Sequence, residues 1–146
     1  MRFVEVTGNL FDTKSYTKEK VVFAHCIASD FGMYGGIATQ FIEHFDMKAK
    51  LIGWSKVNSI PMATHNINGA FVKFQPVTRP SLIGKAVKID TVYNLITKEL
   101  TVSLPTIETL ERSLVDLKTQ MVANNEHYLA IPDMIGCGID KLNELC

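Results

Sequence analysis

Three short apolar runs, separated by segments with helical spacing, constrain the fold of this chain more than any other feature. The runs cover residues 21–27, 91–97 and 127–131, and the first is almost continuously apolar. Such a run is typical of a parallel strand that is buried on both faces. His25 lies within the first run, and we expect it to be a hydrogen-bonded core histidine rather than a metal ligand. Strands that alternate with helices predict an α/β fold with a largely parallel sheet.

The segments between these runs carry apolar residues at helical spacing. We expect one helix after residue 36, a short second helix over residues 47–54, and the longest helix from Pro105 and Thr106 to Asn124. The apolar positions of the first helix are Ile37, Phe41, Ile42 and Phe45, and those of the longest are Leu110, Leu114, Leu117 and Met121. Residues 1–7, with Phe3 and Val6 as apolar positions, are predicted to form a first strand.

The size and the charge balance of the chain narrow the classes of function. Its 146 residues suit one compact domain, 1–146, with one hydrophobic core. Fifteen basic and fifteen acidic residues cancel, so there is no net basic field to attract a nucleic-acid backbone. The three cysteines lack zinc spacing and are expected to be reduced thiols, which favours a cytoplasmic protein. No apolar run has the length of a membrane span, so we expect no membrane partner.

A glycine-bracketed turn follows the third apolar run. The chain passes through Pro132 to residues 136–138, Gly-Cys-Gly, and a helical pattern resumes at Ile139. Backbone N–H groups at such a strand-to-helix turn suit a phosphate or diphosphate, although an ordinary turn has the same glycine spacing. The turn is not the longer Gly-x-Gly-x-x-Gly nucleotide fingerprint. Asp140 lies at the mouth of the same crevice, where it can take part in proton transfer.

Three chemically notable places each follow a predicted strand. They are the glycine loop at residues 32–36, Lys98, and residues 136–140. Ligands of such sheets bind at the carboxyl ends of the strands. We therefore expect these places to meet at one edge, with Lys98 and Asp140 at the ends of neighbouring strands, facing each other across a cleft.

Five ordered motifs spread over most of the chain carry a family resemblance. They are Gly8-Asn9-Leu10-Phe11, His25-Cys26-Ile27, Met33-Tyr34-Gly35-Gly36-Ile37-Ala38, Leu95-Ile96-Thr97-Lys98 with Pro105-Thr106, and Ile135-Gly136-Cys137-Gly138-Ile139-Asp140-Lys141-Leu142. With them the sequence resembles a macrodomain, the ADP-ribose-binding module, and within that family the terminal ADP-ribose protein glycohydrolase branch. The last two motifs are the specific ones, because general ADP-ribose binders do not carry both this lysine and this aspartate. The resemblance implies a three-layer α/β/α fold with a mixed, largely parallel central sheet.

The resemblance also implies a mechanism and a set of site residues. Lys98 would attack the anomeric carbon of the distal ribose, and Asp140 would act as the general acid and base. ADP-ribose would contact Asn9, Leu10, Met33, Gly35, Gly36, Ile37, Thr97, Pro132, Ile135, Gly136, Cys137, Gly138 and Ile139. No cofactor and no metal are implied. The expected partner is ADP-ribose or an ADP-ribosylated protein, with ADP-ribosylated DNA as a further option and the oligomeric state left open.

Three departures from the family pattern bear on specificity. Asn9 stands where the family usually has an aspartate that accepts from the adenine amine. Tyr34 replaces a small residue and is expected to cover the ribose or to narrow the choice of substrate. Residues 55–85 are roughly twenty residues longer than expected, so we interpret them as an insertion, either a hairpin or an ordered surface loop, with a role in substrate selection.

Two other functions remain compatible with the same motifs. One is a reader module that binds ADP-ribose without turnover, and the other is a phosphatase acting on ADP-ribose 1″-phosphate, which would not need Lys98.

A macrodomain normally continues past the last motif with a helix and a strand, and only residues 143–146 follow here. We therefore expect a fold that lacks both elements. The first strand would then pair directly with residues 128–131, placing Phe3 and Val6 beside Leu129 and Ile131. A strand from a partner chain or from residues 55–85 would be the alternative.

Overall fold

The computed structural model describes residues 4–68 and 73–133 of the chain. Its helices are α1 (Ile37–Phe45), α2 (Met47–Val57) and α3 (Ile107–Ala123). Its strands are β1 (Val22–Ala28), β2 (Ala63–Thr64), β3 (Ile67–Asn68), β4 (Lys73–Phe74), β5 (Val77–Thr78), β6 (Ala86–Ile89), β7 (Val92–Lys98) and β8 (Leu129–Ala130). Short 3-10 helices occupy Thr13–Ser15 and Pro80–Leu82.

The central sheet contains four strands in the order β6-β7-β1-β8. β1 is parallel to β7 on one side and to β8 on the other, whereas β6 is antiparallel to β7. The predicted mixed, largely parallel sheet is therefore confirmed. Because β1, β7 and β8 run in the same direction, their carboxyl ends lie at one edge of the sheet. This edge is where a ligand of an α/β protein is expected to bind.

Helices cover both faces of this sheet and complete the three layers. Successive residues of β1 point to opposite faces, so Phe23 and Ile27 enter one core cluster and Val22 and Ala24 the other. The first cluster is completed mainly by α1 and α2, through Phe41, Met47 and Leu51. The second is closed by α3, through Leu117. Burial on both faces is the reason why the β1 sequence is almost continuously apolar.

The start of α3 is built from a reciprocal cap. Thr106 is the N-cap, and its hydroxyl oxygen accepts a hydrogen bond from Thr109 N at 3.1 Å. In return, Thr106 N donates to Thr109 Oγ1 at 3.3 Å. The Thr109 hydroxyl also donates to Thr97 O at 2.6 Å, which ties the helix to the carboxyl end of β7. The predicted helix is confirmed and has Asn124 as its C-cap, although Leu114 is 36% exposed and lies at the margin of the buried face.

Residues 55–85 form a hairpin-like arrangement of short strands, as predicted by the hairpin alternative rather than by the ordered surface loop. The segment begins inside α2, and its strands pair antiparallel, β2 with β5 and β3 with β4. His65 N donates to Pro76 O at 3.0 Å between the two ladders. The next strand, β6, was not predicted, because four residues with Lys88 among them provide too short a pattern to recognise.

His25 is a core histidine, as predicted. It is fully buried, and its Nε2 atom lies 2.7 Å from Asn94 Oδ1. Its ring stacks on Phe41 with 3.9 Å between centroids. Burial, opposed in part by the Asn94 hydrogen bond, lowers the pKa of His25 to about 4. The imidazole is therefore neutral at physiological pH.

The predicted first strand is wrong for the residues that the structure describes. Residues 4–7 form no strand, and Val6 is 55% exposed rather than packed on the sheet. In the described part of the chain β8 pairs with β1, and Leu129 and Ile131 remain 39% and 41% exposed. Residues three apart point to opposite faces of a strand, so Phe3 and Val6 do not define one buried face. Phe3 and residues 134–146, on which the expected loss of the last helix and strand depends, lie outside the described residues.

None of the helices within residues 4–68 and 73–133 is long and apolar enough to cross a membrane. Over the same ranges, no three His, Cys, Asp or Glu side chains are grouped so that they could hold a metal ion.

Candidate active site at the carboxyl edge of the sheet

Lys98 is the last residue of β7 and is buried at the carboxyl edge of the sheet. Only 7% of it is exposed, and its Nζ atom donates a hydrogen bond to Thr101 O at 2.8 Å. Its own carbonyl oxygen accepts from Ser29 N at 2.9 Å. The β1–β7 register shifts here, so that Ala28 pairs with Lys98 and Thr97 is the extra residue. Bulges of this kind re-aim side chains and are frequent beside active sites.

The carboxylate of Asp30 joins the loop after β1 to the turn after β7. Its Oδ1 atom accepts from Thr101 Oγ1 at 2.6 Å and from Gly32 N at 2.8 Å. Its Oδ2 atom accepts from Thr101 N at 2.8 Å. Asp30 was not selected from the sequence. It lies in the loop two residues after the end of β1, at the same edge as Lys98, and that position was the available signal.

Gly32 is required where the two loops touch. A Cβ atom at this position would lie 2.2 Å from Thr101 Oγ1, well inside van der Waals contact. The neighbouring residues Phe31 and Met33 both have φ of 55°, so the backbone here is tightly bent. Their side chains enter the core, and Met33 is only 4% exposed. The Met33 side chain is therefore committed to packing rather than to the open edge.

Arg79 holds the same loop from the hairpin side. It is 6% exposed, and its guanidinium lies over the Phe31 ring at 4.1 Å from the centroid. It donates to Ser29 O at 3.2 Å and to Ser55 Oγ at 3.3 Å. Burial lowers the pKa of Arg79, and the charge of Asp30 raises it in part. No local pattern marks this arginine in the sequence, because its partners lie 24 and 50 residues away.

The remaining predicted ligand residues fall into two groups. The structure describes Asn9, Leu10, Gly35, Gly36, Ile37, Thr97 and Pro132. Outside the described residues lie Ile135, Gly136, Cys137, Gly138 and Ile139, together with the predicted catalytic residue Asp140. Asn9 Oδ1 accepts a hydrogen bond from Phe11 N at 2.9 Å, so the side-chain oxygen of Asn9 stabilises the turn in which it lies. Gly36, with φ of 63°, is the N-cap of α1. Thr97 is 1% exposed, and its buried Oγ1 atom has no hydrogen-bond partner in the described part of the chain.

The strand order corrects one expectation about the cleft. β1 lies between β7 and β8, so Lys98 and Pro132 follow strands that are not neighbours. The loop that follows β1, residues 29–36, therefore lies between the segment after β7 and the segment after β8. Sequence order could not reveal this, because the central strand of the three is the first in the chain.

Comparisons with known proteins agree with this architecture. The chain is 30% identical over 141 residues to the human protein named ADP-ribose glycohydrolase OARD1, covering 97% of this chain and 76% of that one. The macrodomain of Mycobacterium tuberculosis DarG superposes with a TM-score of 0.66 at 18% identity, covering 94% of this chain and 79% of that one. The chain belongs to the macrodomain family, in the ADP-ribose glycohydrolase branch.

One further relative and one further solved structure are consistent with the assignment of this chain to the macrodomain family. The Bos taurus ADP-ribose glycohydrolase OARD1 is 29% identical over 141 residues, with the same coverage of 97% and 76%. The macrodomain of Thermus aquaticus DarG has a TM-score of 0.57 at 16% identity, covering 95% of this chain and 78% of that one. No family profile matches the chain. The predicted family and fold class are therefore confirmed by the relatives rather than by a profile.

The macrodomain has a cavity of about 370 Å³ beside the Asp30–Thr101 contact. The loop after β1, the hairpin and the turn after β7 all line it, through residues such as Tyr34, Gln75, Val77, Leu100 and Val102. Tyr34 is 74% exposed, and Lys48 Nζ lies 4.8 Å from the centroid of its ring. The Lys48 ammonium also donates to Gly32 O at 3.1 Å. The cavity therefore has a mixed lining: Pro76, Val77, Leu100 and Val102 are apolar, and Asp30, Lys48 and Arg79 are charged.

The hairpin of the macrodomain is tied to the residue that follows Lys98. Glu99 Oε1 lies 2.8 Å from His65 Nε2, and Thr78 is within 3.5 Å of the same carboxylate oxygen. The backbone carbonyl of Glu99 accepts from Ser29 Oγ at 2.7 Å. These contacts place the 55–85 segment at the candidate site rather than on a remote surface.

Proposed function

We propose that this macrodomain is an ADP-ribosyl glycohydrolase in which Lys98 is the nucleophile and Asp140 the general acid and base. The observation that carries the proposal is the position of Lys98. A lysine at a strand end normally extends its ammonium into water, whereas Lys98 is 7% exposed and donates to Thr101 O. The names of the human and bovine relatives, both ADP-ribose glycohydrolases, support the same activity.

The chemistry that we propose is a two-step displacement at the distal ribose. The Nζ lone pair of Lys98 forms a bond to the anomeric carbon, while the bond from that carbon to the acceptor group breaks and its electron pair leaves with the acceptor. Asp140 gives a proton to the departing group and later takes one from the water that releases the sugar from Lys98. The scheme needs no metal and no cofactor. The same scheme applies to an acceptor linked through oxygen and to one linked through nitrogen.

ADP-ribose would bind along the carboxyl edge of the sheet. Gly35, Gly36 and Ile37 lie at the start of α1, where a helix end favours the diphosphate. Residues 135–139 would supply the ligand contacts on the other side. Thr97 would contribute from the bulge beside Lys98. Asn9 would meet the adenine, with Leu10 packed beside it.

The acceptor group would occupy the cavity between Tyr34, the hairpin and the turn after β7. Two features support this assignment. The cavity reaches Thr101, whose carbonyl oxygen accepts a hydrogen bond from Lys98, and the hairpin is tied to Glu99, the residue after Lys98. The extra length of residues 55–85 would then serve substrate selection.

Hydrolysis assays on defined substrates test the proposal. A glutamate-linked peptide, a serine-linked peptide and thymidine-linked single-stranded DNA, each ADP-ribosylated, would be incubated with the wild type and with Lys98→Ala. Lys118→Ala, an exposed lysine on α3, is the matched control. We expect at least one substrate to be cleaved by the wild type and the control, with a loss of about 100-fold or more in Lys98→Ala. The glycosylamine formed on Lys98 can open its ribose ring to an imine, and borohydride should reduce this imine and so trap the sugar on Lys98.

Two outcomes would replace this proposal. Tight ADP-ribose binding without product from any substrate would indicate a reader module. Release of phosphate from ADP-ribose 1″-phosphate at the same rate in Lys98→Ala would indicate a phosphatase.

A further inference from the structure

We infer that Asp30 is a positioning residue for the reaction: its carboxylate fixes the turn after β7 and thereby holds the Lys98 amine in the direction of attack. This inference rests on the proposed function, because it gives Asp30 a role only if Lys98 is the nucleophile. Asp30 itself need not touch the substrate.

The carboxylate of Asp30 is shared among three donors. Thr101 supplies two of them, its backbone N–H and its hydroxyl, and Gly32 supplies the third through its backbone N–H. All three distances are between 2.6 and 2.8 Å. Hydrogen bonds to an ionised acceptor are shorter and about twice as strong as neutral ones. Thr101 is therefore held at both its backbone and its side chain.

Thr101 transmits this restraint to Lys98 through its carbonyl oxygen. That oxygen accepts from Lys98 Nζ at 2.8 Å. A lysine has to lose a proton before it attacks, and the neutral amine still has N–H groups with which to keep this bond. With the Cε–Nζ bond and one N–H direction set, the lone pair on a tetrahedral nitrogen is limited to two directions. Fixing Thr101 thus restricts where the nucleophile can point.

Gly32 and Arg79 both support the contact between Asp30 and Thr101. The absence of a Cβ atom at Gly32 allows Thr101 to approach the loop, since that atom would lie 2.2 Å from Thr101 Oγ1. Arg79 holds the preceding carbonyl, Ser29 O, at 3.2 Å and places a positive charge near the carboxylate. Ser29 N in turn donates to Lys98 O at 2.9 Å. Asp30 is thus linked to Lys98 in two ways: through Thr101 to the Lys98 amine, and through the adjacent Ser29 to the Lys98 carbonyl oxygen.

The test compares Asp30→Asn with Asp90→Asn. Asparagine keeps one carbonyl oxygen, which cannot serve donors that now use two oxygens. Asp90 provides the same chemical change in the turn before β7, at the opposite end of that strand, where it forms an ion pair with Lys50 at 2.6 Å. Both variants would be measured for kcat, KM, ADP-ribose affinity by calorimetry, and the rate of borohydride-trapped adduct formation on Lys98.

We expect Asp30→Asn to lower kcat and the trapping rate together by about 10- to 100-fold, because a misplacement of about 1 Å costs on that order. ADP-ribose affinity and KM should stay within about twofold of the wild type, and Asp90→Asn should match the wild type in all four measurements. A parallel fall in affinity and kcat in Asp30→Asn would overturn the inference, since it would show a general role in shaping the binding loop.

Thr101 provides a second pair of variants if Asp30→Asn fails to fold. Thr101→Val removes one donor to Asp30 but retains the carbonyl oxygen that Lys98 uses, and we expect kcat to fall several-fold. Thr101→Ser keeps the hydroxyl and should restore kcat to near the wild-type value. Equal kcat in both variants would refute the positioning role. Wild-type activity that survives in Lys98→Ala would instead refute the proposed function itself, so the two failures are distinguishable.

Discussion

Mild acid should destabilise this macrodomain through one buried residue, His25. Asn94 Nδ2 donates to Val87 O at 3.1 Å, so its Oδ1 atom faces His25 and accepts from Nε2–H. His25 Nδ1 then carries the lone pair, and it has no hydrogen-bond partner within the described residues. Protonation of Nδ1 would leave a buried cation whose new N–H has no acceptor among the described residues. The folded state therefore prefers the neutral imidazole.

The size of the effect follows from the two pKa values. The pKa of His25 is about 4 in the folded protein and 6.5 in the reference state that represents the unfolded chain. Between these values the unfolded state binds more protons, so the free energy of unfolding falls as the pH falls. At pH 5.5 about nine in ten unfolded copies carry the proton, against a few per cent of folded ones. The loss between pH 7.5 and pH 5.5 is about 1.3 kcal/mol, or roughly 3–5 °C in Tm.

Urea unfolding at a series of pH values from 7.5 to 5.5 would measure this slope. His25→Gln removes the titration while retaining a side chain that can donate to Asn94, and His127→Gln makes the same change at an exposed histidine. We expect the wild type and His127→Gln to lose about 1.3 kcal/mol over this range. His25→Gln should lose much less, whatever its stability at pH 7.5.

The comparison of slopes separates this mechanism from general acid effects. An identical pH dependence in His25→Gln and the wild type would show that another group is responsible. A rise in wild-type stability toward pH 5.5 that is lost in His25→Gln would show that His25 is protonated and paired in the folded state.

Two more predictions concern the ligand. Asn9→Asp should tighten ADP-ribose binding by about 3- to 10-fold, because a carboxylate offers the adenine amine a second, charged acceptor while one oxygen keeps the bond from Phe11 N. Calorimetry with ADP-ribose and with ribose 5-phosphate would check it, and equal gains for both ligands would contradict the adenine assignment. Val102→Trp should raise KM several-fold for the acceptor-bearing substrate and leave ADP-ribose affinity unchanged, because Val102 lines the cavity and is 73% exposed. Weaker binding of free ADP-ribose in this variant would mean that the cavity belongs to the nucleotide instead.

The main elements of the fold could be predicted because their signals are local. The buried strand β1 has an apolar run that alternates between two core clusters, and α1 begins and ends at the residues that its spacing indicates. The Thr106 cap of α3 can be read from a few consecutive residues. Residues 1–7 had no such consistent period, and the described part of that prediction was wrong. The edge strand β6 was too short to recognise.

The candidate site divides in the same way. The motif around Lys98 could be identified in the sequence, as could the loop that ends at Gly36, because each follows an apolar strand. Asp30, Thr101 and Arg79 were not identified. Asp30 and Thr101 are 71 residues apart, and Arg79 is 50 residues from its partner Ser29. The residues next to each of them in the sequence give no indication of these contacts.

The sequence alone determined that helices and buried parallel strands alternate in this chain, since hydrophobic periodicity is a property of a few consecutive residues. It also determined which family the motifs resemble. Only the tertiary structure decided that β1 lies between β7 and β8, and that the loop after β1 fastens the turn beside Lys98. Strand order and loop-to-loop contacts depend on how distant segments pack together. No local pattern encodes that packing, because each segment would have the same periodicity in another order.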